Sequence, residues 1–292
     1  MKKSNYHTHT YRCGHAVGNE EDMVLVAINH DIEVLGFSCH IPLPHYRRFL
    51  LKSLHHAIKD KKTFLSFVRS FLTGGLSMRM PYSKAAVHQR EVKEVKEKYA
   101  DKITVYQGYE AEYFKEYLSY FKELLESQKV DYLILGHHFN RYALHNHYYG
   151  KVNITNEEII QYKNDVIEAL ETNLFSYLAH PDLFMIGKKH WDDFTEKIAR
   201  EICAKAKELD IPLEINAGGI RRGLKRVDDD LVYPYTNYHF FKVAGEIGNK
   251  IILGIDAHSP EDFNEKDYQT MLAFAKKLNL NVIDSFEFRK PK

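Results

Sequence analysis

The sequence predicts an α/β fold, a distorted (β/α)7 TIM-like barrel with a helical insertion after the second strand. Two observations carry the architecture. Short β-branched and aromatic runs alternate with longer segments of helical period, the pattern of parallel strands joined by helices. The alternation repeats seven or eight times in 292 residues, a length that such a barrel fills as one domain over 1–292. A third observation ties the fold to chemistry: of 17 histidines, about half fall where predicted strands end.

Taken in order, predicted strands run from Asn5 to Thr8, Glu33 to Ser38, Ile103 to Tyr109, Tyr132 to Leu135, Phe175 to Ala179, Ile211 to Asn216 and Lys250 to Ile255, with an eighth from Asn281 to Phe286. Helical patterns lie between them near Glu20 to His30, Ser83 to Tyr99, Phe114 to Ser127, Asn156 to Glu171, Asp192 to Leu209, Tyr238 to Ile247 and Glu265 to Leu278. Thr155 followed by Asn156-Glu157-Glu158 reads as a helix cap with acids in the first turn. The second and third strands are separated by the insertion, about 41–101, which holds Arg47 to Leu72, a Thr73-Gly74-Gly75 break and a basic turn to Pro81. On the strand-exit side of a barrel such a segment is either a lid or substrate wall, or a peripheral helical hairpin.

Composition narrows the class. Apolar residues at 44% and charged ones at 28% are globular values that exclude disorder and coiled coil. Lys+Arg 41 against Asp+Glu 40 gives a net charge of +1, so there is no overall attraction to nucleic acid or anionic lipid, and a polyanion partner would need a local patch. No run approaches the roughly 18 apolar residues of a membrane span, and no apolar stretch follows Lys2-Lys3, so a soluble cytoplasmic chain is expected. Cys13, Cys39 and Cys203 form no paired pattern and are expected as reduced thiols.

Position relative to strand ends sorts the histidines. His7 and His9 end the first strand, His40 follows the second, Glu110 ends the third, and His137-His138 follow the fourth. His180 ends the fifth, and Asp256 and His258 close the seventh. Carboxyl ends of parallel strands converge on one mouth. In His7-x-His9 and Asp256-x-His258 alternate residues share a face, so each pair can reach one ion. Imidazoles and carboxylates without thiolate favour Zn, Mn or Fe over copper(I) or an iron–sulfur cluster.

The tracts His7-Thr8-His9-Thr10, His15, Gly36-Phe37-Ser38-Cys39-His40, Gly108-Tyr109-Glu110, Gly136-His137-His138-Phe139, Ala179-His180-Pro181 and Gly254-Ile255-Asp256-Ala257-His258 resemble the motifs of the PHP (polymerase and histidinol phosphatase) superfamily. Leu213-Glu214-Ile215-Asn216-Ala217-Gly218-Gly219-Ile220-Arg221-Arg222-Gly223, then Tyr233-Pro234, and the long insertion resemble its histidinol-phosphatase branch. The resemblance spans roughly residues 5–260. It implies two to three divalent metal ions: one on His7, His9, Glu110 and Asp256, a second sharing Glu110 and adding His138 and His180, and a third on His15, His40 and His258. Ala217 and Gly219 depart from the more polar or larger residues associated with that tract, and Ile255 stands where Ser is common; these changes bear on substrate fit rather than metal binding.

The chemistry that follows is phosphomonoester hydrolysis by a hydroxide shared between two metals, with L-histidinol phosphate, an intermediate of histidine biosynthesis, as the expected small-molecule substrate. Arg221 is expected to clamp a phosphate oxygen, with Arg222 competing for that role. Asp256 or His258 is expected to protonate the leaving alkoxide, and Glu112 to receive the substrate amine. Two alternatives share the motifs: a PHP-type phosphoesterase or exonuclease for another ester or a nucleic acid end, and a non-catalytic metal-binding module. Neutral charge and the lack of a basic groove interleaved with aromatics weigh against nucleic acid. The remaining histidines are read as structural: His137 packed or supporting a ligand, His30, His55, His56, His88 and His239 on helix surfaces, His145 and His147 in a solvated loop, and His190 packing or capping beside Trp191. Cys13 and Cys39 are read as small packing residues, and the basic run Arg221 to Arg226 otherwise as a solvated face.

Overall fold

The computed structural model describes residues 2–73, 78–140, 144 and 147–291. The Gly74-Gly75 break and His145 lie outside the described residues. The chain opens with β1 (Ser4–Thr8), α1 (Glu20–Asn29) and β2 (Val34–Phe37), then runs through α2 (Tyr46–Leu51), α3 (Leu54–Ala57), α4 (Lys61–Thr73) and α5 (Ala85–Lys98) before β3 (Thr104–Ala111). It continues as α6 (Leu118–Glu126), β4 (Tyr132–Leu135), α7 (Asn156–Glu171), β5 (Tyr177–Leu178), α8 (Asp193–Glu208) and β6 (Leu213–Asn216). A short α9 (Ala217–Arg221) and an antiparallel hairpin, β7 (Lys225–Val227) and β8 (Asp230–Val232), precede α10 (Tyr238–Ile247), β9 (Lys250–Gly254), α11 (Glu265–Lys277) and β10 (Asn281–Val282).

Eight strands pair in parallel in the order β1-β2-β3-β4-β5-β6-β9-β10. The two ends of the barrel are built differently. At the carboxyl end seven strands close into a ring, because the His9 N–H donates to Ala257 O at 2.8 Å and the Ala257 N–H to His7 O at 3.1 Å, joining β1 to the exit of β9. At the amino end the eighth strand β10 sits on β9, and the Ser4 hydroxyl donates to Asp284 O at 2.7 Å. Below it Phe286 and Phe288 close the floor against Tyr6, Tyr106, Tyr132 and Tyr177. The barrel is therefore pinched at the mouth, which is what brings the exits of β1 and β9 together.

Local signals explain most elements. Asn19 with Asp22 and Thr155 with Glu158 form reciprocal capping boxes on α1 and α7. Gly248, at φ 77°, ends α10 in the left-handed conformation that glycine adopts at low cost. The β7–β8 hairpin turns at Asp228 in the left-handed region (φ 50°). The segment between β2 and β3 packs on the barrel: Phe49 lies on Phe114 and Tyr117 with ring centroids 5.1 and 5.5 Å apart, and Tyr117 donates to Pro44 O at 3.1 Å. Its Arg79 reaches Glu112, beside the histidine cluster. Among the described residues no helix is long and apolar enough to cross a membrane.

Candidate functional site

Seven imidazoles and two carboxylates predicted from six strand exits and one loop meet at the pinched end. Each arrives for a local reason. β1 carries His7 inward and its exit carries His9. β3 runs on past the predicted end, held by Glu110 N–H to Ser38 O at 3.2 Å and Ile41 N–H to Glu110 O at 2.8 Å, so Glu110 sits inside a paired strand beside His40. His180 and Asp256 take positive φ, 30° and 52°, a backbone strain that concentrates at functional sites and here turns both side chains inward.

Around His7 and His9 the distances are those of a coordination shell rather than of hydrogen bonds. His7 Nε2 stands 3.6 Å from Glu110 Oε2 and 3.4 Å from Asp256 Oδ1, and His9 Nε2 stands 3.5 and 3.4 Å from the same two atoms. Two donors bound to one tetrahedral zinc at about 2.0–2.1 Å lie about 3.3–3.4 Å apart. His138 Nε2 and His180 Nε2 face the other Glu110 oxygen at 3.4 and 2.9 Å, and His40 Nδ1 lies 3.0 Å from Glu110 Oε2. Glu110 thus presents one oxygen to each of two donor groups. Near the third expected group, the donor atoms of His9, His40 and His258 lie within 4.8 Å of one another, and His15 joins through His258.

The acceptors around the rings set which imidazole nitrogens face inward. His15 Nδ1 and His258 Nδ1 lie 3.0 and 3.1 Å from the carbonyls of Cys13 and Asp256, which can only accept, so both rings carry their proton there. Their Nε2 lone pairs then face each other at 2.9 Å, a contact that needs a proton or a cation between them. His7 Nδ1 is held at 2.8 Å by Glu214, which likewise aims its Nε2 at the two carboxylates. His7 Nε2 and His9 Nε2 are buried without hydrogen-bond partners. Burial would lower His7, but Glu214, Asp256 and Glu110 hold it well above the usual imidazole range. Burial and His258 push His9 down to about 4. Burial, with His9 and His138 adding to it, holds His40 far down against Glu110. Burial would raise Glu110 and Asp256, yet the surrounding imidazoles keep both well below the carboxylate range. Buried imidazoles packed around two anions are the donor set of divalent cations, and the residues fit several such ions.

Supporting residues that sequence reasoning left without a role surround this shell. Glu214, fully buried on β6, also accepts from the His180 backbone N–H at 3.1 Å and Asn216 Nδ2 at 2.7 Å, so one carboxyl holds the His7 ring and the backbone that carries His180. A Cβ at Gly254 would overlap Glu214, and one at Gly136 would overlap Glu110. The signal was present: an acid at 214, alternating with Asn216 on one face of a fully buried strand. Tyr148 stacks by His138 at 6.5 Å and Tyr235 lies edge-on to His180 at 6.1 Å. Burial raises both phenols, so they keep their protons and offer O–H donors at the rim.

Several expectations are corrected. Arg221 does not face the mouth: its Nη2 donates to Ile255 O and Asp256 O at 2.9 and 2.8 Å and its Nε lies 3.3 Å from Asp262, so it props the loop that carries Asp256. Arg222 is the arginine at the rim, its guanidinium 5.6 Å from the Tyr235 ring centroid and close to Tyr148 and Asp256. Glu112 is not open to a substrate amine; it is fully buried, ion-paired with Arg79 from the β2–β3 segment, with His138 Nδ1 3.5 Å away. His88 is not on a surface: it is fully buried, with Nδ1 2.6 Å from Glu20. His137 is packed, taking the Tyr113 N–H at 3.2 Å and lying 3.3 Å from Asp165. Of the pair expected to protonate the alkoxide, Asp256 is held as an anion, and His258, its side chain 29% exposed, is the one with access to solvent.

The PHP domain family matches residues 5–218. No curated protein matches the sequence at a significant level. Among solved structures, a Listeria monocytogenes protein described as a candidate histidinol phosphatase (HisK) is similar with a TM-score of 0.68 and 20% identity, over 92% of this chain and 99% of that one. The Lactococcus lactis subsp. lactis histidinol phosphate phosphatase (HisK), in complex with Zn, L-histidinol and phosphate, is similar with a TM-score of 0.64 and 17% identity, over 100% and 99%.

Proposed function

The chain belongs to the PHP family, and from that premise we propose that it is a metal-dependent phosphomonoesterase that hydrolyses L-histidinol phosphate to L-histidinol and phosphate. The observation that carries the reading is Glu110, whose two oxygens each face a separate group of buried imidazoles, the arrangement that holds two cations side by side. His7, His9, Glu110 and Asp256 would hold one ion, Glu110, His138 and His180 a second, and His15, His40 and His258, with His9 adjoining, a third. Bound there, divalent ions supply a water that is ionised near neutral pH and positive charge for the phosphoryl oxygens.

The chain's own groups do the rest. Glu214 fixes the His7 ring and the His180 backbone, so that neither has to reorganise when phosphate arrives. Arg222 takes over the phosphate contact first given to Arg221, having among the described residues no carboxylate ion-pair partner to compete with a phosphate oxygen. Tyr148 and Tyr235 add O–H donors on the same side. Arg221 holds Asp256 in place from outside. The choice of L-histidinol phosphate over other esters is supported by end-to-end likeness of fold to the Lactococcus protein, whose complex contains L-histidinol and phosphate.

A phosphate-release panel tests the proposal. Metal-loaded protein is expected to hydrolyse L-histidinol phosphate much faster than sugar phosphates, nucleotides or single-stranded DNA. Preference for another monoester would move the substrate; degradation of DNA ends would replace the activity; release from none, with two to three ions bound, would leave a binding module.

A further inference from the structure

Cys13 and Cys39 have no part in the proposed reaction, yet both thiols are fully buried against a ring that does. The Nδ1 of His9 lies 3.4 Å from Cys13 Sγ, and the donor atoms of His9, Cys13 and Cys39 all lie within 4.8 Å of one another. We infer that His9 Nδ1, Cys13 Sγ and Cys39 Sγ form a separate site for a thiophilic cation, Zn2+ or Cd2+, joined to the carboxylate cluster through the His9 ring.

Four features support this assignment. A nitrogen and a sulfur on one tetrahedral zinc, at about 2.0 and 2.3 Å from it, stand about 3.5 Å apart, close to the His9–Cys13 distance. Cys39 Sγ lies 3.3 Å from both the N–H and the hydroxyl of Thr10, donors of the kind that steady a metal thiolate. Behind Cys39 stands His88, fully buried, with Nδ1 on Glu20 at 2.6 Å, lining the wall outside the three-residue donor group. Arg12 braces the same Glu20 from outside, Nε to Oε1 at 2.7 Å, so the wall behind the thiols is rigid.

The donor sets separate by chemistry. Glu110 and Asp256 with imidazoles suit Mn, Fe or Zn, whereas two thiols with imidazole discriminate against Mn and Mg in favour of Zn and Cd. His9 adjoins both, its Nε2 facing Glu110 and Asp256 at 3.5 and 3.4 Å and its Nδ1 facing Cys13; a neutral ring has one lone-pair nitrogen, so with a cation on each side the Nδ1 proton leaves to solvent together with the two thiol protons and the ring bridges as imidazolate. A cation on the thiol side therefore acts on a ring that the carboxylate cluster shares, and an excess of zinc reaches that cluster from behind. The inference does not depend on which phosphate ester is the substrate.

Cadmium titration of the manganese-loaded full-length protein, followed by the ultraviolet thiolate-to-cadmium charge-transfer band, tests it without reference to turnover. Wild type and Cys203→Ser are expected to show a saturable band at one Cd2+ per chain, because Cys203 is buried in α8, apart from the site. Cys13→Ser and Cys39→Ser are each expected to bind at least about tenfold more weakly, and the double variant to show no band. No band in wild type, a band that survives in the double variant, or one lost in Cys203→Ser overturns the assignment. Should the double variant fail to fold, thiol titration of wild type decides, in denaturant just sufficient for all three cysteines to react: Cd2+ shields two of them if the site exists and none if it does not. A protein with no phosphatase activity that still gives the band would sink the proposed function alone.

Discussion

Replacing Glu214 by Gln tests the claim that ring orientation, and not the ligand atoms alone, makes the cluster. One carboxyl oxygen serves His7 Nδ1 at 2.8 Å and Tyr177 OH at 3.4 Å; the other serves the His180 N–H at 3.1 Å and Asn216 Nδ2 at 2.7 Å. All four neighbours act as donors. Glutamine has one oxygen and one NH2 in the same space, walled by Gly254, so it can satisfy only one edge. If the amide keeps its oxygen toward His180 and Asn216, its NH2 faces His7, which must accept at Nδ1 and move its proton to Nε2, the atom aimed at Glu110 and Asp256. If it keeps its oxygen toward His7, the NH2 meets the His180 N–H and Asn216, and His180 is pushed off its seat. Either way one imidazole is lost as a ligand.

The magnitude follows. Loss of a carboxylate behind a metal-binding histidine costs about 10–100-fold in metal affinity, equivalent to about 1.4–2.7 kcal/mol. One buried donor without a partner costs the metal-free fold about 1–3 kcal/mol. Competition against a chromophoric chelator reads the first and urea unfolding of the chelated protein the second. Turnover is expected to fall at limiting metal and to recover in part at excess metal, and Tyr177→Phe, which removes only the 3.4 Å contact, should change affinity little. A Glu214→Gln protein that binds metal within about twofold of wild type would refute the argument, because no rotation of the amide satisfies both edges.

Other substitutions separate roles that the sequence left tangled. Arg222→Ala should lower kcat/KM for the phosphate ester by about 10–100-fold, one charge-assisted hydrogen bond, with little change in unfolding midpoint; Arg221→Ala should instead lower the midpoint and metal retention, because Ile255, Asp256 and Asp262 lose their partner. Arg79→Met leaves Glu112 buried and unpaired and should cost about 3–5 kcal/mol of stability, much of it regained in Arg79→Met with Glu112→Leu; equal stability of wild type and single variant in urea would deny the pair any weight. Burial raises Asp182 to about 6 against the N–H groups of Asn237 and Thr236. A carboxyl whose folded pKa lies above its unfolded one holds its proton more tightly when folded, so its contribution is full below about 4 and declines by about 3 kcal/mol as pH rises to 6. The stability difference between wild type and Asp182→Asn, measured from pH 4 to 7, should carry that slope, and a flat difference would show that the group titrates normally.

The parts of the site legible in the sequence were those fixed by strand exits. Buried parallel strands read as apolar runs, and a polar residue at the end of such a run has one place to go, the mouth. That logic located His7, His9, His40, His138, His180, Asp256 and His258. It could not see contacts made across the barrel. Glu214 looked like an isolated acid because its partners, His7 and the His180 N–H, come from strands 207 and 34 positions away. Arg221 and Arg222 are neighbours in sequence, but consecutive residues on a helical turn point about 100° apart, which sends one behind the Asp256 loop and the other over Tyr235. His88 lies on a helix whose exposed residues are charged, and a helical period cannot say that its inner face meets Glu20. The same limit explains the pinch: nothing in the runs Asn5 to Thr8 and Lys250 to Ile255 states that they pair at one end only, and it is the Ala257 hydrogen bonds, with β10 and the Phe286–Phe288 floor at the other end, that decide it. A full eighth strand between β1 and β9 would move His7 and His9 one strand spacing, about 4.8 Å, away from Asp256, and no single ion could then be reached from both.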